Sequence, residues 1–153
     1  MNWFVFESSA IVKRYVAETG SQWVEEVCDP TQGHQIVICD LCITEVASAL
    51  SRLQREGRLT IDERDQIYAD FLAHCRTEYV LVPITRQMLE EAGTLCFRHP
   101  LRALDAIHLA AALHVARAAR RQGLTITFVS ADDALLNSAR IEGLGVENPN
   151  WHP

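Results

Sequence analysis

The sequence predicts an α/β fold with a mainly parallel sheet. Three observations carry that prediction. Short apolar runs rich in β-branched and aromatic residues recur along the chain. Longer stretches with apolar residues at helical spacing separate them. Several of those stretches open on a capping residue or close on glycine. Parallel neighbours need a crossover between them, and an intervening helix supplies it.

Taken in order, "NWFVF" (2–6) is a short apolar strand. "SAIVKRYVAE" (9–18) has helical spacing, and "SQWVEEVC" (21–28) is a second short helix after Gly20. "HQIVIC" (34–39) is a β-branched strand. In "LCITEVASALSRLQREG" (41–57), Ile43, Val46, Leu50 and Leu53 repeat with a helical period, and Gly57 stands where a terminating glycine belongs. "TIDERDQIYADFLAHC" (60–75) opens with Thr60 and Glu63 at capping-box spacing. "YVLVPI" (79–84) is a strand with Pro83 near its end, and "RQMLEEAGTLCFRH" (86–99) is helical. "RALDAIHLAAALHVARAARRQG" (102–123) is a long alanine-rich helix closed by Gly123. "TITFVS" (125–130) is a strand, "DDALLNSARIEG" (132–143) a helix, and "VEN" (146–148) a last short strand.

A chain of 153 residues without repeats or linkers fits one domain, 1–153. It has no uncharged run long enough to cross a bilayer and no signal-peptide pattern, so a cytoplasmic protein without membrane contact is expected. The net charge of −6 provides no global field for nucleic acid. The cations are nonetheless unusual: thirteen of the fourteen are arginine, which forks well onto phosphate and carboxylate, and only Lys13 is lysine. The five cysteines, Cys28, Cys39, Cys42, Cys75 and Cys96, lie mostly in apolar runs and read as buried thiols rather than a disulfide framework. Cys39 and Cys42 form a lone C-x-x-C, which a redox pair or half a zinc site would also use. No second Cys or His pair stands at zinc-finger spacing, and Asp40 and Leu41 bring no cation to activate a thiolate.

Ligands of open α/β sheets bind outside the carboxyl ends of the strands. Glu7 stands at the first such end. Glu45 follows the second strand, on the first turns of the next helix. Asp105 lies near the start of the alanine-rich helix, and Asp132 and Asp133 follow "TITFVS". Each has an ordinary structural reading. Asp132 is a helix-capping candidate, Asp105 suits a helix N-terminus, Glu45 could be a solvated helix residue, and Glu7 could pair with Lys13 or Arg14. Capping alone does not require acids from such distant segments to meet at one edge. Clustered carboxylates repel one another, and a divalent cation removes that cost. An all-oxygen set suits Mg²⁺ or Mn²⁺, ions that act on phosphodiesters by activating water and neutralising the leaving oxygen.

The same stretches resemble the PIN-domain ribonucleases, in particular the VapC-type toxins of bacterial toxin–antitoxin pairs. The resemblance covers essentially the whole chain. "FESSAIVKRY" matches a first motif that usually reads like "LDTSALVKRY", "TEVASAL" a second, "LRALDAIHLAAAL" a third and "FVSADDALLNSA" a fourth, and "EGLGVENP" matches the closing "GL-x-V-x-NP". The resemblance implies a three-layer α/β/α sandwich and Mg²⁺- or Mn²⁺-dependent endoribonuclease activity that halts growth by cleaving RNA, often tRNA or rRNA. It implies a cognate antitoxin whose tail covers the acidic site, and a homodimer.

By position, Glu7, Asp105 and Asp132 would be metal ligands, and Glu45 would complete the catalytic set directly or through water. Ser9 and Ser130 would support the first and last acids, with Asp133 at the helix start as an outer residue. Arg14, Arg52 and Arg55 are candidates for RNA or antitoxin contact. His108, one turn beyond Asp105, reads as a helix-packing histidine rather than a ligand. Trp3 and Trp23 read as core or interface residues. The departure is Glu7, one methylene longer than the usual Asp. It motivates an alternative: a PIN-fold protein with weakened or lost catalysis that acts mainly by binding RNA or antitoxin.

Overall fold

The structure, a computed structural model, describes all of residues 1–153. Five strands make one sheet: β1 Trp3–Phe6, β2 Gln35–Cys39, β3 Val80–Val82, β4 Ile126–Val129 and β5 Gly145–Glu147. Their order is β3-β2-β1-β4-β5, with every pair parallel. The chain builds outward from β1 through β2 to β3, then crosses back to place β4 on the other side of β1. The direction of winding therefore reverses between β1 and β4. At that point the loops leave to opposite faces and open a crevice at the carboxyl edge.

Seven helices cover the sheet: α1 Ser8–Ile11, α2 Ser21–Cys28, α3 Leu41–Arg55, α4 Ile61–Thr77, α5 Arg86–Arg98, α6 Ala103–Arg120 and α7 Asp133–Ile141. Strand register decides which side chains face which layer. Val5 pairs with Val37 and with Phe128, and all three enter one core with Ala106, Leu109, Ala110, Leu135 and Leu136. Phe6, paired with Ile38 and Val129, points to the opposite core with Ala10, Val24, Val46, Leu50 and Phe71. Helices α5–α7 thus lie on one face and α1–α4 on the other, giving a three-layer α/β/α sandwich. Burial on both faces explains why the strands are apolar throughout rather than alternating. Each fully buried Phe, Leu or Ile contributes about 1.5–3 kcal/mol. In α6, Ala106, Ala110, Ala111 and Ala112 are all buried, and their small side chains let the helix sit close to its neighbours.

Several expected elements are trimmed, for identifiable reasons. The stretch 9–18 makes one α-turn and a 3₁₀ turn, Val12–Arg14, and then leaves the helix. Tyr15 and Val16 turn into the second core instead, and the chain re-enters helix at Gly20. Gly20 is in the left-handed region (φ +84°), and a Cβ there would lie 2.1 Å from the Pro149 carbonyl oxygen. The strand expected at 79–84 shortens to Val80–Val82 because Pro83 has no N–H to extend the ladder. The last strand shifts to Gly145–Glu147. The capping box forms: the Glu63 N–H donates to Thr60 Oγ1 at 3.1 Å, and the Thr60 N–H donates to Glu63 Oε1 at 3.0 Å. No helix is long and apolar enough to cross a membrane.

Candidate functional site

Glu7 is the residue after β1 and the N-cap of α1. It is buried, at 6% exposure, and both of its carboxylate oxygens accept hydrogen bonds. Oε1 accepts from the Ser9 N–H at 3.0 Å, and Oε2 accepts from the Ser130 hydroxyl at 2.9 Å and from the Ser9 hydroxyl. The two serines carry the contact onward. Ser9 Oγ accepts from the Ala131 N–H at 3.0 Å, and Ser130 Oγ from the Asp132 N–H at 3.1 Å. One carboxylate thereby ties the start of α1 to the loop after β4, across the switch point. Neither cation considered as its partner reaches it: Lys13 Nζ pairs with Glu18 at 3.2 Å, and Arg14 pairs with Glu78 at 2.8 Å.

Glu45 projects from α3 towards the same edge. Its Oε1 accepts from the Ser8 hydroxyl at 3.0 Å and lies 2.5 Å from His108 Nε2. A carboxylate only accepts, so Nε2 carries the proton. The other ring nitrogen, Nδ1, lies 3.3 Å from Cys39 Sγ, and Cys42 Sγ lies 3.3 Å from Ser8 Oγ. Burial alone would raise the Glu45 carboxyl, but the His108 hydrogen bond and charge and the Ser8 hydroxyl outweigh it, so its pKa falls below the ordinary value. Burial alone would lower His108, but its hydrogen bonds to Cys39 and Glu45 raise it. Cys39 is held below the usual thiol range by the hydrogen bond from Cys42 and then by His108, and Cys42 is correspondingly raised.

Asp105 occupies the first turn of α6, with Arg102 Nε donating to its Oδ2 at 3.2 Å. Asp132 is the N-cap of α7. Its Oδ1 accepts from the Ala134 and Leu135 N–H groups at 2.9 and 3.2 Å. Asp133 Oδ1 accepts from Asn148 Nδ2 at 2.8 Å, which fastens the helix start to the chain's last turn.

Glu7, Glu45 and Asp105 line a single cleft of about 450 Å³, together with Ser8, Ser9, Lys13, Glu18, Arg52 and Arg102. Asp132 and Asp133 stand outside its lining, although Ala131, the residue before Asp132, is part of it. Arg14 lies elsewhere, its guanidinium bound by Glu78 and by Tyr79 Oη at 2.7 Å. Arg55 donates to Ser51 Oγ at 2.8 Å and does not line the cleft. Trp23 stacks on His152, with ring centres 4.7 Å apart.

His108 is more than a packing residue, since it bonds acid and thiol on its two sides. Ser8, Lys13 and Arg102 also line the cleft, a place the sequence did not assign to them. Ser8 had a signal, being the residue next to Glu7 at a strand end, and Lys13 had one as the only lysine. Nothing local marked Arg102, because the cleft that it rims exists only once α6 meets α3.

A parallel sheet wound both ways from its first strand, with carboxylates from three separate crossings in the crevice at its switch point, defines an α/β protein with an acidic edge site. The chain belongs to the PIN domain family, whose model matches residues 5–139. Over 113 residues it is 34% identical to "Ribonuclease VapC45" and, equally, to "Ribonuclease VapC49", both of Mycobacterium tuberculosis; each match covers 72% of this chain and 74% of the relative. Its fold is similar to that in the crystal structure of VapBC2 from Rickettsia felis bound to a DNA fragment from their promoter. That match has a TM-score of 0.59 at 13% identity and covers 95% of this chain and 98% of the other.

Proposed function

We propose that this chain is a divalent-metal-dependent endoribonuclease toxin of a toxin–antitoxin pair, acting as a single domain in the cytoplasm and hydrolysing RNA phosphodiester bonds. The observation that carries the reading is the convergence of Glu7, Glu45 and Asp105 on one cleft rimmed by Lys13, Arg52 and Arg102. The names of the curated relatives support it. The facing donors are all carboxylate oxygens, a set that fits Mg²⁺ or Mn²⁺. Glu7 and Asp105 would hold the ion from within the cleft and Asp132 from beside it, through Oδ2, since Oδ1 caps α7; the ion when bound would supply an activated water and neutralise charge on the leaving oxygen.

The protein's own groups set the stage. Ser9 and Ser130 orient Glu7. His108 and Ser8 keep Glu45 ionised and aimed, so that it can accept a proton from the attacking water. Arg52 and Arg102 provide forks for phosphate, the role that Arg14 and Arg55 are less well placed to fill. A cognate antitoxin covering this cleft, and a homodimer, complete the proposal.

The test is cleavage of RNA by antitoxin-free protein with Mg²⁺ or Mn²⁺, compared with Asp105→Asn. A loss of at least about a hundredfold in the variant is expected. Equal residual cleavage by both proteins overturns the reading. One observation favours the second reading, weakened catalysis with RNA or antitoxin binding as the main role: the two oxygens of Glu7 already accept from three donors, which leaves about one acceptor position for an ion.

A further inference from the structure

Behind the acidic cleft, on the far side of Glu45, the end of β2 meets α6. There Cys39, Cys42 and His108 are brought together, at 3%, 0% and 3% exposure. One ligand atom from each lies within 4.8 Å of the others. The cysteines come from one strand-to-helix turn and the histidine from a helix more than sixty residues later. Sequence spacing therefore showed two of its three members. We propose that Cys39, Cys42 and His108 form a binding site for a thiophilic d¹⁰ cation, with Zn²⁺ as its representative, separate from the carboxylate cleft.

The geometry fits such an ion without large movement. Zn–S and Zn–N bonds of about 2.3 and 2.0–2.1 Å in a tetrahedral arrangement place sulfur and nitrogen ligands roughly 3.5–3.8 Å apart. Cys39 Sγ and His108 Nδ1 are already 3.3 Å apart. The imidazole is also turned the right way. His108 Nε2–H donates to Glu45 at 2.5 Å, so Nδ1 is the nitrogen that faces the thiols. A metal-bound histidine whose other N–H donates to a carboxylate is the usual supporting arrangement around zinc, because it fixes the ring and raises its basicity. Ser8 Oγ, 3.3 Å from Cys42 Sγ, provides a neutral oxygen beside the trio.

The proton count follows directly. The Cys42 thiol is pushed up by Cys39 and by burial, which keeps it protonated, and the 3.3 Å contact between Cys39 Sγ and His108 Nδ1 needs one proton between them. Whichever of that pair carries it, entry of the cation releases two protons, since thiolates and a free imidazole lone pair are what bind. Two soft thiolates and an imidazole do not suit Mg²⁺, which takes oxygen ligands, so the two sites should sort their ions by chemistry. The cation would pin the β2–α3 junction to α6 and thereby hold the wall of the cleft that carries Glu45.

The experiment uses the full chain with exposed Cys96 replaced by Ser, under a non-thiol reductant. Zinc is titrated against a chromophoric chelator, and Co²⁺ is used as a spectroscopic substitute. One Zn²⁺ per chain, release of two protons, a thiolate-to-cobalt charge-transfer band and a raised Tm are expected. Cys39→Ser and Cys42→Ser should abolish the band, and His108→Asn should weaken binding by at least about tenfold. Glu7→Gln and Asp105→Asn should leave it intact. The Co²⁺ spectrum of the protein with its trio unmodified keeps the test valid if a cysteine variant folds poorly. Binding no tighter than in the Cys39→Ser/Cys42→Ser double variant overturns the proposal, as does binding that persists there and disappears in the acid variants. Neither result depends on whether the protein cleaves RNA.

Discussion

Glu7→Asp separates the structural work of this side chain from its catalytic work. Removing one methylene retracts the carboxylate by roughly one C–C bond, about 1.5 Å. The 2.9 Å contact from the Ser130 hydroxyl would then open towards about 4.4 Å, beyond hydrogen-bond range. Ser130 is fully buried, so losing its acceptor costs about 1–3 kcal/mol. The Ser9 N–H contact survives, because Asp is itself a strong N-cap. A chain of this size loses about 2–4 °C in Tm for each kcal/mol. Activity should move the other way. Metal ligands are placed to about 0.2 Å, and a misplacement of 1 Å in a reacting assembly can cost about a hundredfold. Asp restores the acid usual in the family's first motif, so a gain of roughly ten- to a hundredfold in single-turnover RNA cleavage is expected, together with a lower urea midpoint. Cleavage unchanged within about threefold, less than 1 kcal/mol of barrier, would show that the longer arm is not limiting and would remove the case for weakened catalysis. An unchanged or higher midpoint would refute the role given to Ser130.

Gly20→Ala should destabilise the fold by about 2–4 kcal/mol in urea titration, because the new methyl meets the Pro149 carbonyl at 2.1 Å in a left-handed backbone; a loss below about 1 kcal/mol would mean that the Pro149 turn moves freely. Phe71→Ala, at a fully buried position edge-on to Tyr15 with ring centres 5.6 Å apart, should cost about 3–5 kcal/mol by the same measurement. Glu142 accepts from Arg98 at 2.6 Å and pairs with His99 at 2.8 Å, and these bonds hold its carboxyl below the ordinary 4.5. A carboxyl depressed in the folded state stabilises at pH above its unfolded value and loses that contribution as pH falls through its folded value. Stability should therefore decline below about pH 4.5 through this group, and Glu142→Gln should flatten that part of the acid limb of a pH–stability curve; an unaltered limb would show that the α5–α7 contact is electrostatically silent.

The fold was legible because its signals are local. Periodicity and glycine or capping residues marked all five strands and six of the seven helices, and Thr60 with Glu63 announced its own capping box. The brief α1 was overextended because Ile11, Val12 and Val16 satisfy helical spacing, while the decisive fact, the fit of Gly20 against Pro149, joins opposite ends of the chain. The site divides in the same way. Glu7, Glu45 and Asp105 could be read from strand ends and motifs. The capping role of Asp132 was legible too, since its carboxylate serves two N–H groups of its own helix α7, but its place outside the cleft lining was not. The bonds of His108 were hidden for a different reason: its partners, Cys39 and Glu45, lie 69 and 63 residues away.

His108 touches both clusters. Its Nε2 serves the acidic side and its Nδ1 the thiol side, so whatever occupies Nδ1 changes what Nε2 can do. A proton on Nδ1 makes the ring an imidazolium and strengthens the Nε2–H donor. A cation at Nδ1 does the same without a proton, and it adds rigidity because the ring can no longer turn. In either state Glu45 receives a strong donor, which favours its ionised form and lowers its basicity. A neutral, unligated ring would leave Glu45 a better base but a less firmly held one. If Glu45 is the base proposed above, the balance between its aim and its basicity is set from behind the cleft, by His108 and the thiols around its Nδ1.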